Sequence, residues 1–293
     1  MKFCFVILHY KTEQDTKDCI ESIERITVDA SDELSIVVVD NASNNGSVEA
    51  LEGKYDKTPY ITFIKNDENL GFARGNNIGY DYAKNVLNAD FIIILNNDII
   101  VSSEDIFDKI KQAYKEHKFH LLGPDIISLV DNMHQNPSHR TSTDVKYMRK
   151  EISRYKRLLM LSKLGLYDML KSAKKKVSGD SNKKVEDVKV EMQENCQLHG
   201  SCLIYSPLYI KNEIYAFYPG TFLYCEEPIL YQHCVKKKYK TLLYPDIKIF
   251  HKEDSSTSFT TNTTKGKREF VFKHLIKSRK EYVKYLEDDS LWE

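Results

Sequence analysis

Apolar residues recur along the first 120 positions in two alternating rhythms. Short, largely apolar runs cover Phe3 to Leu8, Leu34 to Val39, Ile61 to Lys65 and Phe91 to Leu95. Such runs read as strands buried on both faces. Between them, apolar or small residues fall at helical spacing over Thr12 to Ile26, Ser47 to Tyr55 and Ala73 to Val86. Strands alternating with helices predict parallel pairing through right-handed crossovers, so the fold class expected is α/β, with a Rossmann-like, mainly parallel central sheet. After Ser102 the pattern predicts a helix to about Lys118 and a strand over LLGPDIIS. Residues 131–145 are polar and read as a loop. The apolar spacing of RLLMLSKLGLYDML (157–170) predicts a helix, and VSGDSNKK (177–184) reads as a linker. Strand-like sequence returns in CQLHGSCLIYS, TFLYCEE and YKTLLYPDIKIF; a Ser/Thr-rich loop follows from Ser255 to Thr264, then a terminal helix over Arg268 to Leu286. The divisions expected are a ligand-binding half over 1–120, a second half of the same domain over 121–265 carrying a helical insert at about 146–190, and a C-terminal helix over 266–293.

Composition narrows this picture little. Of the 293 residues 41% are apolar and 29% charged, and the formal net charge is +0, so no global charge points to nucleic acid. The charge is unevenly placed. From Lys146 to Lys189 fourteen Lys and Arg face five acids, and a basic amphipathic helix there would suit peripheral contact with an anionic membrane surface. The competing expectation is a core-facing helix with a solvated polar side. The six cysteines show no CxxC pair or metal-ligand spacing and read as mostly buried free thiols of a reducing compartment. The N-terminal run MKFCFVILHY lacks a small-residue cleavage site and reads as a strand, which predicts a cytoplasmic location, at most the inner face of the cell membrane.

Candidate chemistry gathers where strands end. His9-Tyr10 follows the first strand, Asp40-Asn41 the second, Asn66 to Asn77 (NDENLGFARGNN) the third and Asn96-Asn97-Asp98 the fourth. In a parallel sheet these loops share one edge, where open α/β sheets bind ligands. Neither GxGxxG nor GxxxxGK[ST] is present. Asp98 is a hard oxygen ligand suited to Mg²⁺ or Mn²⁺ held partly by substrate phosphates. Asp40 suits a base imide or a ribose hydroxyl, Arg74 a phosphate, and Gly71 a close backbone approach. His9, Tyr10, Asn69, Asn77 and Asn97 complete the expected ligand-contacting set.

The stretches ILHYKTEQDTKDCIESI, VVVDNASNNGS, NDENLGFARGNNIGY, FIIILNNDI, GPDI, LHGSCLIYS, FLYCEE and PDIKIFHK together resemble family 2 glycosyltransferases of the GT-A fold, near the bacterial rhamnosyltransferase-like branch. The resemblance implies that Asp98 holds Mg²⁺ or Mn²⁺ on a nucleoside diphosphate sugar and that Asp40 contacts the base. It implies that Glu226 and Glu227 supply the catalytic base, with Glu227 first, and that His251 ligates metal or touches diphosphate. The function expected is inverting transfer of a sugar from a UDP- or dTDP-linked donor to a glycan or lipid-linked oligosaccharide in cell-surface polysaccharide synthesis. The alternatives are a nucleotidyltransferase and a non-catalytic sugar-nucleotide-binding module. The former wants a glycine-rich loop after the first strand, which HYKTEQ lacks; the latter has no need of the acids in the second half. Asparagine is usual in the family where His9 stands, and Pro228 follows the acid pair.

Overall fold

The computed structural model describes residues 1–169, 190–253 and 263–292. Among the described residues nine strands, β1 (Lys2–His9), β2 (Glu33–Asp40), β3 (Ile61–Lys65), β4 (Phe91–Asn96), β5 (Ile99–Val101), β6 (Leu121–Ser128), β7 (Gln193–Glu194), β8 (Cys202–Tyr205) and β9 (Thr241–His251), form one sheet in the order β3-β2-β1-β4-β8-β6-β9-β5, with β7 on β9. Pairing is parallel across β3-β2-β1-β4 and again between β6 and β9; β8 lies antiparallel between β4 and β6. The helices among the described residues are α1 (Glu13–Ile23), α2 (Ser47–Tyr55), α3 (Gly71–Asn85), α4 (Ile106–His117), α5 (Val145–Lys163), α6 (Pro207–Ile210), α7 (Glu226–Lys237) and α8 (Thr264–Glu287).

β1, β4 and most of β2 are buried on both faces, which is why their sequences run apolar without alternation, whereas the edge strand β3 is only partly buried. Phe3, Phe5 and Ile7 of β1 join Ile93 of β4 beneath α1, α2 and α4; Cys4, Val6 and Ile94 join the opposite layer under α3, α7 and α8. All six cysteines are free, and all but Cys225 are buried.

Two expectations fail locally. TFLYCEE is not a strand: it is an irregular loop that turns into α7 through Tyr224 (φ 72°) and Cys225 (φ 69°), two consecutive left-handed residues. The basic helix begins earlier than its apolar residues suggest. Asp144 caps it by accepting from Lys146 and Tyr147 N–H, and it ends at Lys163, before the left-handed Gly165 (φ +75°). Of the expected insert, 170–189, including the expected linker, lie outside the described residues, as do 254–262 of the Ser/Thr-rich loop. No helix among the described residues is long and apolar enough to cross a membrane.

Candidate active site

A cavity of about 540 Å³ opens at the carboxyl edge of the parallel strands. Its lining draws on every loop the sequence singles out there: Tyr10 after β1, Asn41 after β2, Asn69, Gly71 and Phe72 after β3, and Asn96, Asn97 and Asp98 after β4. The second half of the chain adds Gln135, Phe222, Leu223, His251 and Glu253, and α8 adds Phe270.

Asp98 and His251 meet through strand pairing. The chain leaves β4 through Asn97-Asp98 and enters β5, whose Ile99 pairs with His251 of β9. His251 Nε2 lies 3.2 Å from Asp98 Oδ1. The two atoms lack the alignment of a hydrogen bond, and this buried carboxylate oxygen has no hydrogen-bond partner. A buried, unpartnered carboxylate oxygen is costly. An oxygen and an imidazole nitrogen placed this way fit a divalent cation that takes its other ligands from phosphate and water.

The acid pair opens α7. Glu226 is 3% exposed, and its Oε1 is unpartnered. Burial, reinforced by the charge of Glu227, pushes its carboxyl up to about 8, so it holds a proton at neutral pH. Glu227 is half-buried and lies against Gly200, where an added Cβ would come within 2.8 Å of its Oε1. His199 lies within electrostatic reach of Glu227, His251, Glu253 and Asp98. Its Nδ1 accepts from the Ser201 N–H at 3.2 Å, and burial lowers its affinity for a proton. Asp98 and His251 line the cavity, whereas Glu226 and Glu227 are not among its lining residues.

The LGFARGNN segment works mainly as a brace. Gly71 (φ +79°) admits the Phe222 carbonyl where a Cβ would sit 2.3 Å from it. Phe72 N–H donates to that carbonyl at 2.7 Å, and Arg74 Nε donates to Pro219 O at 2.9 Å. Asn77 Nδ2 donates to Phe217 O, while its Oδ1 accepts from the Ala216 and Phe217 N–H groups. These bonds position the loop that leads to Glu226.

Two residues expected to contact ligand have other partners here. Asn77 uses its amide in that brace. His9 is fully buried, with Nδ1 on Thr16 Oγ1 and Nε2 on Ser47 Oγ, each at 2.7 Å, so neither ring nitrogen reaches the cavity. Asp40 and Arg74 are also not among the cavity-lining residues. Asp40 accepts from Ser43 N–H and Oγ–H and closes the turn after β2. Its neighbour Asn41 faces the cavity: Oδ1 accepts from Leu70 N–H at 2.9 Å, and Nδ2 donates to Asn69 Oδ1 and Gly71 O. Asn97 reaches the cavity while its Nδ2 donates to Thr12 and Thr16 hydroxyls. Sequence reasoning passed over Asn41 as a site residue, and over Gln135, His199 and Glu253. Only Asn41 and His199 carried a signal, being within stretches already singled out.

The architecture and the acid-lined cavity define the GT-A class of glycosyltransferase folds. The chain matches TarS of S. aureus, residues 1–349 in complex with UDP, at a TM-score of 0.54 and 14% identity, over 92% of this chain and 68% of that one. It matches GalNAc-T7 with UDP, GalNAc and Mn²⁺ at a TM-score of 0.55 and 14% identity, over 88% of this chain and 45% of that one. The chain belongs to glycosyl transferase family 2, whose family model matches residues 4–172. A stretch of 126 residues is 27% identical to the low-salt glycan biosynthesis hexosyltransferase Agl10 of Haloferax volcanii, over 42% of this chain. The match spans 36% of that relative's length.

Proposed function

We propose that this protein is a divalent-cation-dependent, inverting glycosyltransferase that moves a sugar from a nucleoside diphosphate donor to a hydroxyl of a glycan or lipid-linked oligosaccharide. The observation that carries the reading is the unpartnered Asp98 carboxylate beside His251 in the cavity wall, with His199 in electrostatic reach of both and of Glu227. The solved TarS and GalNAc-T7 complexes hold UDP, UDP-GlcNAc or Mn²⁺ on the same fold, which supports a UDP- or dTDP-linked donor and Mg²⁺ or Mn²⁺.

Asp98 and His251 would hold the cation, which would supply Lewis acidity to the departing diphosphate. Tyr10, Asn41 and Asn69 form the nucleoside end of the cavity, and Asp40 acts by fixing the turn that presents Asn41. Glu227 takes the proton from the acceptor hydroxyl as it attacks the anomeric carbon. Glu226, protonated, keeps a second negative charge away from that step. One base and one displacement invert the anomeric centre. Contact of α5 with an anionic membrane surface suits a lipid-linked acceptor; exposed Lys156, Arg157 and Lys163 beside exposed Met160 and Leu164 support it.

The test is turnover of candidate nucleotide sugars with Mn²⁺ or Mg²⁺. Asp98→Ala is expected to lose cation-dependent turnover. Glu227→Gln is expected to keep donor binding, read as a ligand-induced rise in melting temperature, while turnover falls roughly 10²- to 10⁴-fold. Wild-type rates in either variant would reject the corresponding role.

A further inference from the structure

A histidine serves as a metal ligand only if the nitrogen facing the metal carries no proton, and the other nitrogen's hydrogen bond decides which one that is. Around His251 this choice is made by residues that no sequence motif marks. Beyond β6 the chain turns back on itself. Ser128 N–H donates to Met133 O, and Gln135 N–H donates to Ile126 O at 2.8 Å. This return, backed by His134 on Asp125 at 2.6 Å, places Gln135 beside the end of β9.

There the Gln135 amide spans two partners. Its Nε2 donates to Glu253 Oε1, and its Oε1 lies 2.8 Å from His251 Nδ1. The orientation of the amide is fixed chemically, because an ionised carboxylate can only accept. Glu253 must face the NH₂ group, so the carbonyl oxygen must face His251. A carbonyl oxygen in turn accepts only from an N–H, so Nδ1 carries the ring hydrogen. The neutral ring then presents a lone pair at Nε2, the atom 3.2 Å from Asp98 Oδ1.

We infer that the Glu253–Gln135 pair locks His251 in its Nδ1–H tautomer and so prepares Nε2 as a cation ligand beside Asp98. Gln135 is a positioning residue: it acts through His251. The inference rests on the cation reading of the site given above.

The test combines two readouts on the full chain. Long-range ¹H–¹⁵N spectra of histidine-labelled, metal-free protein at pH 8, with His251 signals assigned by comparison with His251→Asn, report the tautomer. Mn²⁺ titration by electron paramagnetic resonance, in the presence of inorganic pyrophosphate, reports affinity. Wild type is expected to show the Nδ1–H form. Gln135→Leu is expected to mix the tautomers and weaken Mn²⁺ binding 10- to 100-fold. The double variant Q135E/E253Q exchanges acceptor and donor in place, and is expected to restore the Nδ1–H form and most of the affinity. That rescue separates orientation of the ring from simple loss of folding.

An Nε2–H form in wild type overturns the inference, as does Mn²⁺ affinity in a folded Gln135→Leu variant equal to wild type. Failure of the swap to recover affinity that Gln135→Leu has lost counts against it equally. No Mn²⁺ binding by wild type removes the cation reading and the inference with it. Wild-type binding with an indifferent Gln135→Leu removes the inference alone.

Discussion

Glu226 and Glu227 are neighbours in the first turn of α7, yet water reaches only one of them. Helix N-termini favour carboxylates, but burial of Glu226 and the adjacent charge outweigh that and raise its carboxyl to about 8. Its native-state proton affinity exceeds that of the unfolded chain. Its contribution to stability is therefore fully present below the ordinary glutamate range and is lost as pH rises through about 8. Glu226→Gln, which has the shape of the protonated acid, is expected to melt close to wild type near pH 4. It should melt above wild type by a margin that grows as pH rises towards 8 and levels off above it, as thermal unfolding across that range will read. A margin independent of pH would mean that Glu226 is ionised in the native state. Turnover is expected to suffer far less than in Glu227→Gln, because the proton acceptor remains. The dipeptide was visible in FLYCEE; its division of labour was not, since solvent access depends on what packs over it.

At the scale of elements, α5 shows how charge can mask a helical pattern. Met148 and Ile152, with Tyr155 and Leu159, form its inner stripe against the core, and Tyr155 packs on Phe272 of α8. Intervening lysines and arginines hide that spacing, and the most apolar stretch instead marks the helix's end. There Met160 is 55% and Leu164 63% exposed, beside exposed Lys156, Arg157 and Lys163. The inner face answers to core packing and the outer face to the anionic-surface reading. Flotation with vesicles containing anionic lipid is expected at low salt and lost at high salt, because exposed charges are screened within a Debye length. Replacing Lys156, Arg157 and Lys163 by glutamate should abolish it. Flotation that survives both changes, or is absent at low salt, would dismiss the surface.

Across the whole molecule, the end of the described chain is tied back into the core. Trp292 is 2% exposed, stacks on His233 of α7 at 4.0 Å, and donates from Nε1 to Glu213 Oε2 at 3.1 Å. Tyr239 Oη donates to the other oxygen of Glu213, and His233 Nε2 lies 3.0 Å from Oε2. Burial alone would raise the Glu213 carboxyl, but His233 and Tyr239 outweigh it, and its value is lowered. Its stabilisation is thus present above the ordinary glutamate range and lost as pH falls through the lower native value. Trp292→Ala is expected to cost about 3–5 kcal/mol, and Trp292→Phe, which keeps a ring but removes the donor, about 1–2 kcal/mol. Denaturant unfolding at pH 7 measures both. A Trp292→Phe variant as stable as wild type would remove the hydrogen bond from this account.

The sequence by itself determined the alternation of elements, because a strand buried on two faces and a helix buried on one impose different apolar periods on any chain. It also marked Asp98 as chemistry, since four polar clusters that end apolar runs cannot all be turns, while resemblance to family 2 glycosyltransferases pointed to Glu226, Glu227 and His251. Tertiary structure decided how the marked residues are used. Parallel and antiparallel pairing of distant strands sets His251 beside Asp98, burial gives Glu226 its proton, and the 216–222 loop claims Asn77. Gln135, His199 and Asn41 become site residues through partners far away in the chain, and no local pattern encodes a partner.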